Sequence, residues 1–371
     1  MIDVRYSYPF LQNPTIEAHE DNYLEEGPLY INHYQNCYGL PYMALAKGDI
    51  NHVGGGLMVS DDLHVGTLYD FESGDCEKVY DDVIFIGHIS SVCWGHTITD
   101  SVGRLWWTAT ELKQKYDCLP VYYFSETPLN GNYLEFIKLF GVPLTQFRRL
   151  SKITHFRSVY VPDTCFDNYH VSLRYTKEYV SLINHVVNHV IHQGSSISYP
   201  RNFFLMRENS SRQICSNALK QIITDLGYKI IFPEKLSVSD QISLFQNAES
   251  IVSEESSLSH NFIFCKKGTK AIILRKANTI NIYQALINKL RQLDVVYIDC
   301  HLSICINQRH RGPFFLYANN NFCSYFNQTT PDFPYKEFAT YIENECSGNV
   351  WDSIYHIDPY YKDIIQQLLF P

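Results

Sequence analysis

Between residues 202 and 298, short apolar runs alternate with stretches of helical periodicity, and this alternation restricts the fold more than any other feature of the chain. The predicted strands are Asn202–Met206, Tyr228–Phe232, Ser250–Ser253, Lys270–Leu274 and Asp294–Ile298. The predicted helices between them are one with Ile214, Ile222, Ile223 and Leu226 on one face, then Ser239–Ala248, Ser256–Cys265 and residues 279–291. Gly227 and Pro233 are typical ends of a helix and of a strand. The pattern predicts a parallel sheet covered by helices on both faces.

The first half of the chain predicts a second, less regular α/β domain. Its predicted strands are Val83–Ile86, Val121–Phe124 and Ser158–Val161, and its predicted helices are Cys93–Lys113, Tyr133–Phe140 and Ser172–His192. A small polar stretch at 192–196 is typical of a linker. Residues 1–80, with Gly54–Gly56 and Asp61-Asp62, indicate only small strands and turns. We therefore expect domains at 1–192 and 193–345, followed by a tail at 346–371.

Composition excludes several classes of protein. The 371 residues are 45% hydrophobic and 19% charged, with a net charge of −9, so the chain is globular and lacks the basic surface of a nucleic-acid binder. The amino terminus has no signal-peptide layout, and no apolar run approaches the ~20 residues of a membrane span. The 11 cysteines form no CxxC pair, which indicates reduced thiols, with a single disulfide left open. We expect a cytoplasmic protein, and the 28 tyrosines suit carbohydrate binding.

The segment from Trp94 to Trp107 is the first candidate site. On a helix, His96 and Asp100 stack one turn apart, opposite a core stripe formed by Ile98, Val102, Leu105, Ala109 and Leu112. A solvated helix face is the alternative, but such faces carry Lys and Glu, whereas this one carries Gly103 and Trp107. Either His96 or Asp100 can take a proton from an attacking hydroxyl while the other orients it.

The segment from Ser253 to Asn261 is the second candidate site, because it joins a predicted strand to a predicted helix. Ser256 and Ser257 at such a helix start suit a phosphate, and Glu255 suits ribose hydroxyls. Arg207 and Arg212 follow a neighbouring strand, and their guanidinium groups fit a diphosphate. The alternatives are an ordinary serine N-cap and solvated or ion-paired arginines.

Several common motifs are absent from the sequence. No Gly-x-Gly-x-x-Gly follows a strand and no Walker motif occurs, which weakens dinucleotide oxidoreductase and NTPase interpretations. No Asp-x-Asp ends a strand to hold a metal–diphosphate, and the adjacent acids Asp61-Asp62 and Asp81-Asp82 indicate solvated turns. The absence of Gly-x-Ser-x-Gly argues against a common serine hydrolase.

The order of these residues resembles glycosyltransferase family 61 over roughly residues 84–300. The matching pieces are His96 to Asp100 with Arg104-Leu105; Arg207 with Arg212 to Asn217; Pro233-Glu234 with Leu236-Ser237 and Gln241; and Glu255 to Phe264. The chain departs from the family at Ser256, where bacterial relatives carry glycine. The resemblance therefore gives no donor identity.

The resemblance implies a GT-B fold, with two Rossmann-like domains facing a central cleft, and inverting transfer of a hexosyl or pentosyl group without a metal or other cofactor. It implies a nucleotide-sugar donor, foremost a UDP-sugar, and an oligosaccharide or lipid-linked glycan acceptor. The expected setting is capsule or lipopolysaccharide synthesis at the inner face of the membrane, and the tail is expected to pack back on the first domain.

The expected donor-binding residues are Arg207, Arg212, Glu255, Ser256, Ser257, His260 and Asn261. The expected acceptor-binding residues are Trp94, Arg104 and Trp107, with Asp100 and His96 as the catalytic pair. The alternatives are a GT-B nucleotide-sugar epimerase, a phosphoglycosyl-type transferase and a non-catalytic carbohydrate-binding protein.

Overall fold

The computed structural model describes residues 10–12, 27–39, 57–59, 77–152, 154–167, 174–194, 198–208, 213–275, 281–302 and 314–346. The chain divides into two compact units. The N-terminal unit contains residues 17–196 and 237–242, and the C-terminal unit contains residues 1–16, 197–236 and 243–371. The glycine run Gly54–Gly56, the acidic pair Asp61-Asp62 and the predicted tail from residue 347 onward lie outside the described residues.

The strands, in chain order, are β1 Phe10–Gln12, β2 Ile31–Gly39, β3 Leu57–Val59, β4 Glu77–His88, β5 Val121–Phe124, β6 Phe147–Arg149, β7 Thr154–Pro162, β8 Phe166–Asp167, β9 Arg174–Tyr175, β10 Asn202–Leu205, β11 Gln213–Cys215, β12 Lys229–Ile231, β13 Ser250–Glu254, β14 Lys270–Arg275, β15 Asp294–Asp299, β16 His301–Leu302 and β17 Phe314–Leu316.

The α-helices are α1 Trp94–Ile98, α2 Leu112–Tyr116, α3 Gly131–Lys138, α4 Lys177–Gln193, α5 Asn217–Asp225, α6 Val238–Asn247, α7 Ile282–Arg291, α8 Asn320–Tyr325 and α9 Tyr335–Cys346. Short 3₁₀ helices span Asp100–Ala109, Leu144–Gln146, Pro233–Lys235 and Ser259–Phe264. Within the described part of the chain, no helix is long and apolar enough to cross a membrane.

The main sheet of the C-terminal unit has the order β1-β15-β14-β13-β10-β12. Five of its strands are parallel, namely β12, β10, β13, β14 and β15. Strand β1 pairs antiparallel with β15 at one edge. The predicted parallel sheet is therefore confirmed. In chain order the five parallel strands are arranged 2-1-3-4-5, so the direction of the connections reverses between β10 and β13. Phe204, Val252 and Ile272 of this sheet share a buried core with Leu219 and Ile223 of α5.

The main sheet of the N-terminal unit has the order β3-β2-β7-β4-β5-β6. Strands β7, β4, β5 and β6 run parallel, and β2 pairs antiparallel with β7. Its core contains Val83, Phe85, Phe124, Phe156 and Val159. The strands predicted at Val83–Ile86, Val121–Phe124 and Ser158–Val161 are thus present, and the first and third extend beyond the predicted bounds. The chain is an α/β protein, as the sequence predicts.

The single helix predicted over Cys93–Lys113 is wrong. The α-helix ends at Ile98, where Thr99 takes φ −107° and ψ −96°, and a 3₁₀ helix follows. The Thr99 hydroxyl donates to the Gly95 carbonyl at 2.8 Å, a local bond that competes with regular helix geometry. Ile98 is buried as predicted, with Val102 and Leu105, but Leu112 is 36% exposed because the break shifts the later residues off the stripe.

Three other predicted helices begin late in the structure. Ile214 lies in β11, because β11 pairs with β17, which lies about 100 residues further along the chain. Helix α5 begins only at Asn217, because the side chain of Ser216 caps it. The helix predicted from Ser256 is a 3₁₀ helix that begins at Ser259. The helix predicted from Ser172 begins at Lys177. Long-range pairing and local serine hydrogen bonds decide these boundaries.

Candidate functional site

The candidate site of the N-terminal unit lies at the carboxyl ends of two neighbouring parallel strands. His88 ends β4, Phe124 ends β5, and the two residues are paired in register. The Ile89 N–H donates to the Phe124 carbonyl at 2.9 Å, which holds the two strand ends together. The segment that follows β4 leads into α1, so His96 is carried to the same edge of the sheet. Ligands of open α/β sheets bind at this edge.

His96 and Asp100 form a hydrogen-bonded pair, as their spacing predicts. Nδ1 of His96 is 3.0 Å from Oδ1 of Asp100, and the Thr99 hydroxyl donates to the same oxygen at 2.8 Å. The His96 side chain is 45% exposed, whereas that of Asp100 is only 6% exposed. The hydrogen bond that His96 donates to Asp100 raises the pKa of His96 against the opposing effect of burial. Asp100 is therefore placed to orient the ring, and His96 is placed to meet a ligand.

A second histidine–carboxylate pair, which sequence reasoning missed, lies at the same strand ends. Nε2 of His88 is 2.9 Å from Oε1 of Glu126, and the ring stacks on Phe124 at 4.7 Å between centroids. Oε2 of Glu126 accepts hydrogen bonds from the backbone N–H and the hydroxyl of Ser91, at 2.8 and 3.0 Å. No short-range spacing signals this pair, since His88 and Glu126 are 38 residues apart and only the pairing of β4 with β5 joins them.

The pKa values of the two histidines are shifted in opposite directions, although Glu126 and Asp100 act to raise both. Burial lowers the pKa of His88, although Glu126 and Asp100 act to raise it and His96 acts to lower it. The charge of Glu126 in turn contributes to the raised pKa of His96. Groups whose environments shift their pKa values in opposite directions are typical of acid–base sites.

The three predicted acceptor contacts differ in exposure. Trp94 is half-buried and packs edge-on against Tyr133, with ring centroids 5.7 Å apart. The half-buried guanidinium of Arg104 donates to the Pro162 carbonyl. Trp107 is fully buried, so its ring offers no surface to an acceptor in this structure.

The exposed helix face predicted to hold His96, Asp100, Gly103 and Trp107 is wrong. Gly103 and Trp107 are buried, because the 3₁₀ geometry after Thr99 turns them inward. A Cβ on Gly103 would meet the Thr164 hydroxyl at 2.6 Å and the Phe166 backbone at 3.2 Å, so this glycine permits a close approach of two segments.

The candidate site of the C-terminal unit lies where its sheet reverses the direction of its connections. Arg207 follows β10, and Ser257 follows β13, the strands on either side of the reversal. An Nη2 group of Arg207 donates to the Ser257 hydroxyl at 2.5 Å. The backbone N–H of Glu208 donates to Glu234 at 2.7 Å, which ties the loop after β10 to the loop after β12. Arg207 and Ser257 are thus brought together, while Arg212 lies outside the described residues.

The helix start predicted at Ser256 is wrong, and its neighbours are largely buried. The Ser256 N–H donates to the Ser259 hydroxyl at 3.2 Å, and the Ser256 hydroxyl accepts from the Leu258 N–H at 3.1 Å. Glu255 is fully buried and accepts from the Asn281 N–H at 2.6 Å, at the start of α7. The 3₁₀ helix that follows buries His260 and Asn261 as well. Local hydrogen bonds therefore take up backbone groups that the sequence analysis assigned to a phosphate.

Part of the chain matches a known protein family. The family model Glycosyltransferase 61 matches residues 94–272. This match supports membership of the chain in glycosyltransferase family 61. The family implies a sugar donor and a glycan acceptor in general terms. No curated protein matches the chain.

The family match runs from Trp94 in the N-terminal unit to Ile272 in β14 and so includes residues of both candidate sites. His96, Asp100, Arg207 and Ser257 of the glycosyltransferase lie within it. His88, the last residue of β4, lies outside it, although its partner Glu126 lies inside.

The glycosyltransferase has a third charged cluster that the sequence did not predict. Arg275 and Asp299 end the neighbouring strands β14 and β15, with Nη1 and Oδ2 3.9 Å apart. Nδ1 of His301 is 2.8 Å from Oδ1 of Asp299, and the three side chains are at most 3% exposed. The amides of Asn319 and Asn321 donate to the Asp299 carbonyl at 2.9 and 3.0 Å. Such burial indicates a structural network.

In the parts of the chain that the structure describes, no group of three or more His, Cys, Asp or Glu side chains is arranged to hold a metal. A cleft of about 440 Å³ lies beside Arg201, which precedes β10, and is also lined by Gln246 and Lys266. It lies at the amino ends of the strands, opposite the edge where parallel sheets bind ligands, so it is not our candidate donor site.

Proposed function

We propose that this glycosyltransferase moves a hexosyl or pentosyl group from a nucleotide sugar to a glycan acceptor, with inversion of the anomeric configuration and without a metal. The hydrogen-bonded His96–Asp100 pair at the strand ends of the N-terminal unit carries this proposal. A half-exposed imidazole oriented by a buried carboxylate is suited to accept a proton from a hydroxyl group.

The proposed reaction is a single displacement. The acceptor hydroxyl oxygen forms a bond to the anomeric carbon as the bond from that carbon to the diphosphate oxygen breaks. The leaving diphosphate takes the bonding electron pair, and the hydroxyl proton passes to Nε2 of His96. Nδ1 remains hydrogen-bonded to Asp100, which stabilises the imidazolium. Atoms and charge balance with a glycoside and a nucleoside diphosphate as products.

The donor half of the proposal rests on Arg207 and Ser257. They flank the reversal in a 2-1-3-4-5 parallel sheet, the place where doubly wound folds bind nucleotides. We assign the diphosphate to Arg207, Ser257 and the sequence-predicted Arg212, because a guanidinium group compensates developing negative charge. A UDP-sugar is the first candidate donor. We place the buried residues Glu255, His260 and Asn261, together with the half-buried Ser256, behind these contacts.

The wider setting of the proposal comes from the family resemblance. We propose a GT-B arrangement, with the two α/β units as its donor and acceptor domains. The acceptor is an oligosaccharide or a lipid-linked glycan of a surface polysaccharide, and Trp94 and Arg104 are the proposed acceptor contacts. The proposed location is the cytoplasm, at the inner face of a membrane.

The donor site is tested by thermal shift with UDP-, GDP- and CMP-sugars. One class is expected to raise the melting temperature by mass action. Arg207→Ala is expected to weaken that shift, because it removes a charge-assisted contact to the diphosphate. Arg201→Ala, at the amino end of the same strand, is the matched control and is expected to leave the shift intact. No shift with any sugar at millimolar concentration contradicts the donor site.

The reaction is tested by following the anomeric proton of the product by NMR, with and without EDTA. The expected product has inverted configuration and forms at the same rate in EDTA. Retention of configuration contradicts the single displacement, and loss of activity in EDTA contradicts metal independence. Isomerisation of the donor without an acceptor identifies an epimerase, and binding without turnover identifies a carbohydrate-binding protein.

A further inference from the structure

The His88–Glu126 pair is held more rigidly than an isolated surface histidine. Three hydrogen bonds fix the Glu126 carboxylate: one from Nε2 of His88 at 2.9 Å and two from Ser91 at 2.8 and 3.0 Å. The His88 ring lies against Phe124 at an interplanar angle of 24°. Side chains whose rotamers are fixed in this way are typical of residues that position a ligand.

The hydrogen bonds also define which nitrogen of His88 carries the proton. Burial favours the neutral form of Glu126, but the hydrogen bonds from Ser91 and the charge of His88 outweigh it and lower the pKa of this carboxyl. The ionised carboxylate only accepts hydrogen bonds, so Nε2 of His88 must donate. Burial lowers the pKa of His88, which favours the neutral ring. Nδ1 therefore carries a lone pair.

The lone pair of Nδ1 is available to a ligand. No described residue is hydrogen-bonded to Nδ1 of His88, and the side chain remains 17% exposed. The segment after His88 is also tied to the segment that carries His96 and Asp100, because the Thr97 hydroxyl donates to the Ser90 carbonyl at 2.9 Å and the Ser90 N–H donates to the Ser101 hydroxyl at 3.1 Å. Resting on the proposed function, we propose that Nδ1 of His88 accepts a hydrogen bond from a second hydroxyl of the acceptor sugar, beside the hydroxyl that reacts at His96.

Two substitutions separate this role from a purely structural one. In His88→Gln the side-chain nitrogen still donates to Glu126, and the amide oxygen, the only acceptor left, branches from the position of Cδ2 and not from that of Nδ1. In Glu126→Gln the Ser91 N–H, an obligatory donor, keeps the carbonyl oxygen of the new amide on its own side. The amide NH₂ then faces Nε2 of His88, which must become the acceptor. The proton moves to Nδ1, so His88 changes from an acceptor to a donor at the ligand.

His33 supplies a matched control in the same unit. Its Nε2 is 2.8 Å from the Ser158 hydroxyl, and its ring stacks on Tyr160 at 4.6 Å and 21°. This geometry is close to that of His88 on Phe124, but the hydrogen-bond partner is a neutral hydroxyl. His33→Gln therefore reports the effect of removing a stacked, hydrogen-bonded imidazole away from the strand ends.

The first measurement is ¹⁵N NMR of protein labelled at histidine, titrated with the methyl glycosides of glucose, galactose, mannose and xylose. We expect His88 in the Nε2–H form, a shift of its Nδ1 resonance with at least one glycoside, and the Nδ1–H form in Glu126→Gln. An unshifted Nδ1 with every glycoside, or the same tautomer in both proteins, overturns the proposal.

The second measurement compares transfer to the best glycoside with hydrolysis of the nucleotide sugar, in which water replaces the acceptor. His88→Gln is expected to lower transfer about tenfold or more, the effect of one lost hydrogen bond, and to leave hydrolysis unchanged. His33→Gln is expected to change neither rate. An equal loss of transfer and hydrolysis in His88→Gln overturns the inference. A wild-type protein that catalyses neither reaction, but whose Nδ1 resonance still responds to a glycoside, contradicts the proposed function alone.

Discussion

The two units each contain a histidine close to an aspartate, and the two pairs differ in burial and in hydrogen bonding. Nδ1 of His96 is 3.0 Å from Asp100 in the N-terminal unit, and Nδ1 of His301 is 2.8 Å from Asp299 in the C-terminal unit. The His96 side chain is 45% exposed, whereas that of His301 is 2% exposed. A ligand can therefore reach His96 in the N-terminal unit, whereas His301 in the C-terminal unit is enclosed.

A histidine–aspartate contact alone does not identify a reactive site. Asp299 also lies beside the buried Arg275, so its charge compensates a guanidinium group that water cannot reach. Asp100 instead accepts hydrogen bonds from Thr99 and a half-exposed ring. We therefore expect substitutions at Asp299 to change stability and substitutions at Asp100 to change activity.

The largest expected effect is on stability. Asp299→Ala removes a carboxylate that is buried beside Arg275 and His301, so we expect a loss of about 3–5 kcal/mol in the free energy of unfolding. Urea denaturation followed by circular dichroism measures it. Asp100→Ala is the comparison, with an expected loss of about 1 kcal/mol, because His96 is already half exposed to water. Equal losses in the two variants would contradict the assignment of the buried pair to structure.

The next effect is on activity. Asp100→Asn keeps the size of the side chain but removes the charge that orients and stabilises His96, so transfer is expected to fall ~10²-fold with donor binding retained. Asp299→Asn is the matched variant, and its activity per folded molecule is expected to stay near wild type. Steady-state rates, normalised to the folded fraction, decide the comparison. Wild-type turnover in both Asp100→Asn and His96→Ala would exclude this pair as the catalytic group.

A smaller effect is the pH dependence of stability, which has opposite signs at the two histidines of the N-terminal unit. The pKa of His96 is raised from 6.5, so its contribution is fully present below 6.5 and is lost as the pH rises through the folded-state value. The pKa of His88 is lowered from 6.5, so the protein loses stability as the pH falls from 6.5 through the folded-state value.

Melting temperatures across about pH 5 to 8 test these signs. The melting temperature of wild type minus that of His96→Gln is expected to decrease as the pH rises. The melting temperature of wild type minus that of His88→Gln is expected to decrease as the pH falls. Glu126 and Asp100 act on both rings, and His96 also acts on His88, so both variants retain the two carboxylates. Slopes of the same sign would contradict the opposite environments.

The smallest effect provides the baseline for an exposed ion pair. Arg201 and Glu249 form a pair in which the side chains are 69% and 51% exposed. Glu249→Gln is expected to change the free energy of unfolding by no more than about 1 kcal/mol, because water solvates both charges. Urea denaturation at low and high salt measures it. A loss comparable to that of Asp299→Ala would show that burial does not explain the difference between the two units.

Sequence reasoning was most reliable where the signal is local. The strands β10, β12, β13, β14 and β15 follow from short apolar runs between polar segments, and the His96–Asp100 contact follows from a spacing of four. It failed at Thr99, where a local hydrogen bond interrupts the helical pattern. It also failed at Ile214, which lies in a strand because β11 pairs with the distant strand β17. It also took Ser256 for a helix start, since nothing local shows that Ser259 accepts its N–H.

The sequence by itself determined an α/β chain of glycosyltransferase family 61, a parallel sheet in the second half and the His96–Asp100 contact, because these depend on periodicity, on ordered motifs and on one helical turn. Only the tertiary structure decided the strand order that places Arg207 beside Ser257, the pairing of His88 with Glu126 and the burial of Asp299 with Arg275. Each of these contacts joins residues that are 24 to 50 positions apart along the chain. Parallel strand pairing brings such residues to one edge of a sheet, and no short-range pattern records which strands become neighbours.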